Sequence, residues 1–326
     1  MVTRPQKLKI AAILAAALFC SADLVRSALA AEPVRPPAAG LAPQQNQNTP
    51  ARRIVSLVPP LTEMLFAVGA GPQVVGVSSY DDFPPEVSSR PRVGALLDPD
   101  TERILSLKPD LVIVYGSQTE LEGQFRRVGI RVYSYRHGGI GNGIGNVLQT
   151  IRDLGALTGH RADGDRVAMQ LRSQLDAIRA RVRGRLRPRT MVVMGRDAMA
   201  LRGVFVSAGV GFLHELLDLA GGEDVFADVK REGVQPSNET MLVRAPEVII
   251  ELHAGDTPPP AVVQKERAVW SLLASIPAVR NGRVHLLYGE YLMAAGPRLP
   301  RAAEALGRVL HPDAFVEADL KVRPEK

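Results

Sequence analysis

Two glutamates in similar sequence contexts are the residues of this chain whose type and spacing most clearly indicate chemistry. Glu102 lies in DPDTERILSLKPDLVIV (98–114), and Glu239 lies in QPSNETMLVRAPEVIIE (235–251). In each segment a proline follows the glutamate seven residues later, and an acidic residue and an apolar run come next. This order predicts a short helix that carries the glutamate early, ends at the proline and leads into a buried strand. Exposed carboxylates at two matching places could pair with basic groups of one partner.

The elements that position these glutamates are predicted to form two similar lobes. From Arg52 onward, short apolar strands alternate with helices, which favours an α/β fold with a mostly parallel, helix-flanked sheet in each lobe. The stretch between the lobes predicts a long helix, broken near Gly159, that acts as a rigid connector. The predicted boundaries are a signal peptide (1–30), a spacer (31–51), an N-terminal lobe (52–146), a backbone helix (147–188), a C-terminal lobe (189–312) and a tail (313–326).

The N-terminal segment is typical of an exported protein. Basic residues precede an apolar stretch that ends at Cys20, and Ala28-Leu29-Ala30 offers a cleavage site, which predicts a removed signal peptide. Cys20 is the only cysteine, so the mature chain can form no internal disulfide. Because Phe19 precedes Cys20, simple export is favoured over lipid anchoring. The Pro/Ala/Gln-rich spacer is predicted to be flexible.

Aromatic side chains and one arginine follow several predicted strands. Ligands of open α/β sheets bind beyond the carboxyl ends of the strands, in pockets that are mainly apolar with a few polar groups. The candidate ligand-binding residues at such places are Tyr80, Phe83, Tyr115, Phe205, Tyr288 and Arg298. The only tryptophan, Trp270, is predicted to belong to the core.

Several other functions find no support in the motifs. The glycine run GIGNGIGN (139–146) fits no frame of G-x-G-x-x-G, and the chain has no G-x-S-x-G elbow. The scattered histidines predict no structural zinc, although His137 could reach the cleft as an iron ligand. The basic cluster RARVRGRLRPR (179–189) contains no aromatic residue, and we interpret it as a solvated helix face and not as a nucleic-acid site. We predict that the protein is not an enzyme, with a secreted α/β enzyme as the remote alternative.

Two longer segments resemble a known family. The sequences RIVSLVPPLTEMLFAVGAGPQVVGVSSYDDFPPE (53–86) and VGALLDPDTERILSLKPDLVIV (93–114) are similar to the periplasmic binding proteins of ABC importers for cobalamin, haem and iron-siderophores. The resemblance covers about residues 52–312, and VGVSSYDDFPPE is most similar to the cobalamin-binding members. It implies two α/β lobes joined by a rigid backbone helix.

The resemblance also implies roles for individual residues. Glu102 and Glu239 fall where the family carries the glutamates that dock onto arginines of the two permease subunits. Tyr80, Phe205 and Arg298 match positions that contact ligand in cobalamin binders, and Leu96, Tyr115 and Gly233 stand where those proteins use tryptophan. Haem-binding members use a tyrosine or histidine as iron ligand, for which Tyr80, Tyr115 and His137 are the candidates.

From these observations we expect a monomeric, periplasmic substrate-binding component of an ABC importer. It would capture cobalamin or another corrinoid or metal chelate in the cleft between its lobes and deliver it to the membrane permease dimer, with no catalytic cofactor. Haem or a ferric siderophore is the alternative ligand.

Overall fold

The computed structural model describes residues 49–136 and 143–316. The predicted signal peptide, Cys20, His137, most of the spacer and the end of the tail lie outside these residues.

The described residues contain two sheets. Their strands are β1 (Ile54–Ser56), β2 (Val74–Val77), β3 (Leu111–Tyr115), β4 (Arg131–Tyr135), β5 (Arg189–Gly195), β6 (Phe205–Ser207), β7 (Glu223–Asp224), β8 (Gly233–Val234), β9 (Val248–His253) and β10 (Val284–Tyr288). The first sheet has the order β2-β1-β3-β4 and is parallel throughout. The second has the order β10-β9-β5-β6-β8, with β7 also paired to β5.

Helices alternate with these strands. They are α1 (Pro59–Ala67), α2 (Thr101–Ser106), α3 (Thr119–Arg127), α4 (Ile144–Thr158), α5 (Arg161–Arg181), α6 (Phe212–Leu219), α7 (Asn238–Arg244), α8 (Pro260–Ala268), α9 (Pro277–Arg280) and α10 (Leu299–Leu310). No helix among residues 49–136 and 143–316 is long and apolar enough to cross a membrane.

The predicted mixed α/β architecture with flanking helices is confirmed. Strand β1 is completely buried, β3 and β9 are buried except for their last residues, and β4 and β10 are largely half-buried. Pro59 and Pro60, which end the first strand, also form the first turn of α1, where a missing N–H costs nothing. The predicted break of the connecting helix lies at Gly159, which takes a left-handed conformation (φ 82°) and ends α4.

The second sheet contains a feature that the strand pattern did not indicate. Strands β10, β9 and β5 run parallel, but β6 pairs antiparallel with β5, and β8 pairs antiparallel with β6. Strand direction is not encoded in the apolar pattern of so short a strand. Helix α8 was also not predicted, because it buries none of its residues and therefore shows no apolar stripe.

The described chain packs as two compact units. The first unit comprises the residues up to Val58 together with Gln73–Tyr135, and the second comprises Pro59–Pro72 and the chain from Arg136 onward. The predicted domain boundaries assign residues 59–72 to the N-terminal lobe, whereas this stretch packs with the second unit, where α1 contacts α4. Each unit has a hydrophobic core that includes residues of its sheet. Trp270 is fully buried in the core of the second unit, as predicted.

Candidate ligand-contacting and docking residues

The two helices that carry the candidate docking glutamates begin in the same way. The side chain of Asp100 accepts a hydrogen bond from the backbone N–H of Arg103 at the start of α2 (2.9 Å). The side chain of Ser237 accepts one from the backbone N–H of Thr240 at the start of α7 (3.2 Å). Each cap lies two residues before its glutamate, so Glu102 and Glu239 occupy the same position in the first helical turn.

The same two helices also end in the same way. Lys108 and Ala245 take left-handed conformations (φ 48° and 44°) and are followed by Pro109 and Pro246, both buried. A residue preceding a proline is disfavoured in the right-handed helical region, so the helix stops there. The predicted helix end at the proline is therefore confirmed in both copies.

An arginine at the beginning of the first strand of each unit fixes these helix ends: Arg53 immediately precedes β1, and Arg189 is the first residue of β5. The Arg53 guanidinium donates to the carbonyl oxygen of Leu107 (2.6 Å), and the Arg189 guanidinium donates to that of Arg244 (2.7 Å). These carbonyls belong to the last turn, which lacks partners within the helix. Helices α2 and α7 are thus capped at both ends by corresponding residues.

The carboxyl groups of Glu102 and Glu239 are both solvent-exposed. The hydrogen bond with Ser237 lowers the pKa of Glu239, and its backbone adds to the effect. Negative charge at the first turn of a helix is also favoured by the helix dipole. Glu239 is therefore ionised at neutral pH and available to a basic partner.

In the first unit, Gln118 brings two of the candidate ligand residues together. Its side-chain N–H donates to the carbonyl oxygen of Leu96 (2.9 Å), and its side-chain oxygen accepts from the backbone N–H of Tyr115 (3.0 Å). Tyr115 is the last residue of β3, and Tyr80 follows β2 by three residues. Tyr80 and Tyr115 lie just beyond or at the carboxyl ends of parallel strands, as the sequence predicted, and Gln118 joins Leu96 to Tyr115.

The tyrosine at the end of β3 stays protonated. Burial raises the pKa of Tyr115, and the negative charge of the fully buried Asp81 raises it further. Its ring lies 6.2 Å from that of Tyr135, which ends β4. Phe83 is exposed on the loop that follows β2.

In the second unit, Phe205 lies over a glycine. A Cβ at Gly233 would come within 2.5 Å of the Phe205 ring and 2.8 Å of the Met194 methyl group. Gly233 belongs to β8, the antiparallel neighbour of β6. The phenylalanine ring therefore occupies space that a tryptophan at position 233 would need, which explains physically why a bulky side chain is absent there.

A buried charge cluster at the carboxyl ends of β5 and β9 was not predicted. The Arg196 Nε lies 2.9 Å from the Glu251 Oε1, and both side chains are at most 2% exposed. The Arg196 Nη2 donates to Glu266 (2.7 Å), and the Trp270 indole N–H donates to the other oxygen of Glu251 (2.9 Å). A glutamate within the apolar strand VIIELH was the available signal, since buried acidic residues are rare unless paired.

This cluster keeps Glu251 ionised. Burial alone would raise the pKa of Glu251, but His253, Arg196 and Trp270 together outweigh burial and lower it. The His253 Nε2 lies 3.0 Å from Glu251. His253 and Tyr288 end the paired strands β9 and β10, and their rings stack at 4.7 Å. The partly exposed histidine thus joins Tyr288 at the carboxyl-terminal edge of this sheet.

Arg298 is already engaged by a carboxylate within the second unit. Its Nε and Nη2 donate to the two oxygens of Glu63 on α1 (2.8 and 2.5 Å). Burial raises the pKa of Glu63, and Arg298 opposes that rise. A bidentate partner balances the guanidinium charge, so Arg298 is less suited to bind a phosphate than an unpaired arginine.

No cluster of three or more histidine, cysteine, aspartate or glutamate side chains that could hold a metal ion occurs among residues 49–136 and 143–316. His137 lies outside these ranges.

These arrangements occur on a chain whose residues 54–291 match the family model of periplasmic binding proteins. The chain belongs to the periplasmic binding protein family. Members of this family deliver a ligand to a membrane permease.

The relatives of this periplasmic binding protein include the vitamin B12-binding protein of Salmonella typhimurium. The two are 31% identical over 263 residues, which cover 80% of this chain and 90% of the relative. The crystal structure of the periplasmic vitamin B12-binding protein of Vibrio cholerae is similar with a TM-score of 0.67 and 27% identity, over 82% of this chain and 99% of that one. The periplasmic haem-binding protein of Roseiflexus sp. RS-1 is similar with a TM-score of 0.67 and 26% identity, over 81% of this chain and 99% of that one.

Proposed function

We propose that this periplasmic binding protein is the exported substrate-binding component of an ABC importer whose ligand is cobalamin or a related corrinoid. It binds the ligand without chemical change and presents it to the membrane permease. The observation that carries this proposal is the 31% identity to a vitamin B12-binding protein over 80% of the chain.

The positions of the aromatic side chains support an apolar, ring-rich ligand. In the first unit we assign ligand contact to Tyr80, Phe83 and Tyr115, which lie at or after the carboxyl ends of strands, and to Leu96, which Gln118 joins to Tyr115. Aromatic rings supply a large apolar contact area, and tyrosines add a polar group at the edge of that area.

In the second unit we assign ligand contact to Phe205, Tyr288 and Arg298. We add His253 to this set, and its partly exposed ring, which stacks on Tyr288, supports this assignment. Glu63 holds Arg298, so we expect Arg298 to contact the ligand as a fixed hydrogen-bond donor and not as a mobile cation.

Haem is the second candidate ligand. The likeness to the haem-binding protein of Roseiflexus sp. RS-1 favours it, and Tyr80, Tyr115 and His253 offer oxygen and nitrogen donors of the kind that bind haem iron. A ferric siderophore would use the same surface through its polar groups.

Visible spectroscopy and calorimetry of the purified mature protein test this proposal. Separate titrations with cyanocobalamin, haemin and a ferric siderophore give affinities, and the spectra report the environment of each metal. We expect saturable binding of cyanocobalamin with one ligand per chain. A shifted Soret band with haemin and no heat with cyanocobalamin would replace the first candidate by the second, and turnover of any ligand would contradict the transport role.

A further inference from the structure

An exposed leucine accompanies each docking glutamate at the same helical position. Leu105 follows Glu102 by three residues and is 40% exposed, and Leu242 follows Glu239 by three residues and is 38% exposed. Residues three apart lie on neighbouring positions of a helix surface, so each leucine lies beside its carboxylate. Of the two residues between them in the first helix, Ile104 is fully buried.

The buried residue fixes which way each leucine faces. Ile104 and Met241 occupy equivalent places in α2 and α7, and both have 0% exposure. Successive residues of an α-helix lie about 100° apart around its axis, so the residue that follows each buried side chain lies off the buried face. The outward position of the leucines is therefore a consequence of the packing of each helix, and it is the same in both copies.

The neighbouring positions differ between the two copies. Arg103 in α2 corresponds to Thr240 in α7, and Ser106 corresponds to Val243, which is 82% exposed. A single exposed apolar residue is ordinary on a protein surface. Here, however, a leucine follows each of the two matching glutamates by three residues, although the other outward residues of the helices differ. This repetition indicates a shared binding role.

We infer that the docking site of each unit consists of a glutamate and the leucine one turn further, Glu102 with Leu105 and Glu239 with Leu242. This inference rests on the proposed function, since the occupant is the permease. Each permease subunit would present a basic side chain to the carboxylate and an apolar pocket to the leucine. The matching pairs fit a permease that carries the same surface twice, as a dimer of one subunit does.

The two side chains contribute differently to binding. An exposed carboxylate steers association and fixes orientation, and its effect is screened by salt. The leucine loses apolar surface to the permease, which slows dissociation and excludes water from the adjacent ion pair. Because Val243 enlarges the apolar surface of α7, the docking site of the second unit offers the permease more apolar contact area than that of the first.

The test compares double variants for binding to the purified permease–ATPase complex of the same importer in lipid nanodiscs. The leucine variant is Leu105→Ala with Leu242→Ala, and the matched control is Leu186→Ala with Leu272→Ala, two leucines that are 93% and 74% exposed elsewhere. Surface plasmon resonance at several salt concentrations gives the association and dissociation rates. Circular dichroism and ligand titration establish that each variant is folded.

We expect the leucine variant to bind the permease at least about tenfold more weakly, through faster dissociation and with an unchanged salt dependence. The control should bind as the wild type does. Wild-type affinity of the leucine variant, together with lost binding of Glu102→Ala with Glu239→Ala, would overturn the inference and leave the proposed function standing. Absence of binding by the wild-type protein would overturn both.

Discussion

At the scale of residues, the second unit concentrates its polar chemistry at one sheet edge. Glu251 is contacted by Arg196, Trp270 and His253, and His253 stacks on Tyr288. Removing one member of a buried ion pair leaves an uncompensated charge, at a cost of about 3–5 kcal/mol. The cluster therefore holds His253 and Tyr288 in place at the carboxyl ends of β9 and β10.

The hydroxyl group of Tyr288 gives a test at this scale. It is buried, and the described residues offer it no hydrogen-bond partner. Tyr288→Phe removes an unsatisfied polar group, so we expect an unfolding free energy equal to that of the wild type or about 1 kcal/mol higher. We also expect weaker binding of cyanocobalamin, because the proposed ligand is the partner of that hydroxyl.

Urea unfolding and calorimetry measure these two effects. Tyr288→Leu, which also removes the ring stacked on His253, is the comparison and should be less stable than Tyr288→Phe. Lower stability of Tyr288→Phe without ligand would show that the hydroxyl is already satisfied in the free protein.

At the scale of elements, the helices are positioned by a few contacts between distant segments. The start of α4 is held by α6, because the backbone N–H of Ile144 donates to Glu215 (2.7 Å). The first N–H groups of a helix lack partners within it, so a carboxylate from a neighbouring helix stabilises the start.

A pair of glycine variants tests this contact. A Cβ at Gly143 would lie 1.7 Å from Glu215, whereas one at Gly145 would meet nothing within 4 Å. We expect Gly143→Ala to lower the unfolding free energy by about 1–3 kcal/mol, since the carboxylate must leave its donor. Gly145→Ala, within α4, should raise the unfolding free energy by up to about 1 kcal/mol. Urea unfolding measures both, and equal effects would refute this role for Glu215.

Helix α6 is also joined to β7, by a contact between His214 and Asp224 (2.9 Å). The hydrogen bond to Asp224 raises the pKa of His214; burial opposes this, and the charges of Asp224, Asp218 and Glu215 add to the rise. Because the folded pKa exceeds the unfolded one, the stabilisation is complete below a pH of about 6.5 and is lost as the pH rises through the folded pKa.

We therefore expect a contribution to stability that falls as the pH is raised above about 6.5, the ordinary pKa of histidine. His214→Gln should remove this contribution. Urea unfolding at a series of pH values measures the effect. His285→Gln is the control, because burial lowers the pKa of His285. In this variant the stability should still fall as the pH rises. An unchanged fall in the His214 variant would contradict the assignment.

At the scale of the whole molecule, the two units repeat one construction. Helices α2 and α7 share their caps, their left-handed ends and the arginine that binds their last carbonyls. The repetition places one exposed glutamate on each unit, which suits a partner that is contacted by both.

The docking role is tested by Glu102→Ala combined with Glu239→Ala. We expect this variant to lose stimulation of the permease ATPase while it binds ligand as the wild type does, because neither carboxylate lies at the carboxyl end of a strand. Glu86→Ala with Glu120→Ala removes the same charge from exposed positions and should retain stimulation. Loss of ligand binding in the first variant would show that the glutamates belong to the ligand site.

The sequence by itself determined the alternation of strands and helices, the repeated segment and the positions of its glutamates. These features depend on local properties: apolar runs that must be buried, prolines that end helices and residues that cap them. The helix α8 and the direction of β6 escaped prediction because neither leaves a periodic pattern in the sequence.

Only the tertiary structure decided which polar side chains meet. Glu63 and Arg298 are far apart in the chain, as are Ile144 and Glu215, and nothing in their local sequences indicates a partner. The pairing of His253 with Tyr288 depends on the register of β9 against β10. Such contacts are fixed by how the elements pack, so the charge balance and the set of side chains at the carboxyl ends of β9 and β10 follow from the fold and not from spacing along the chain.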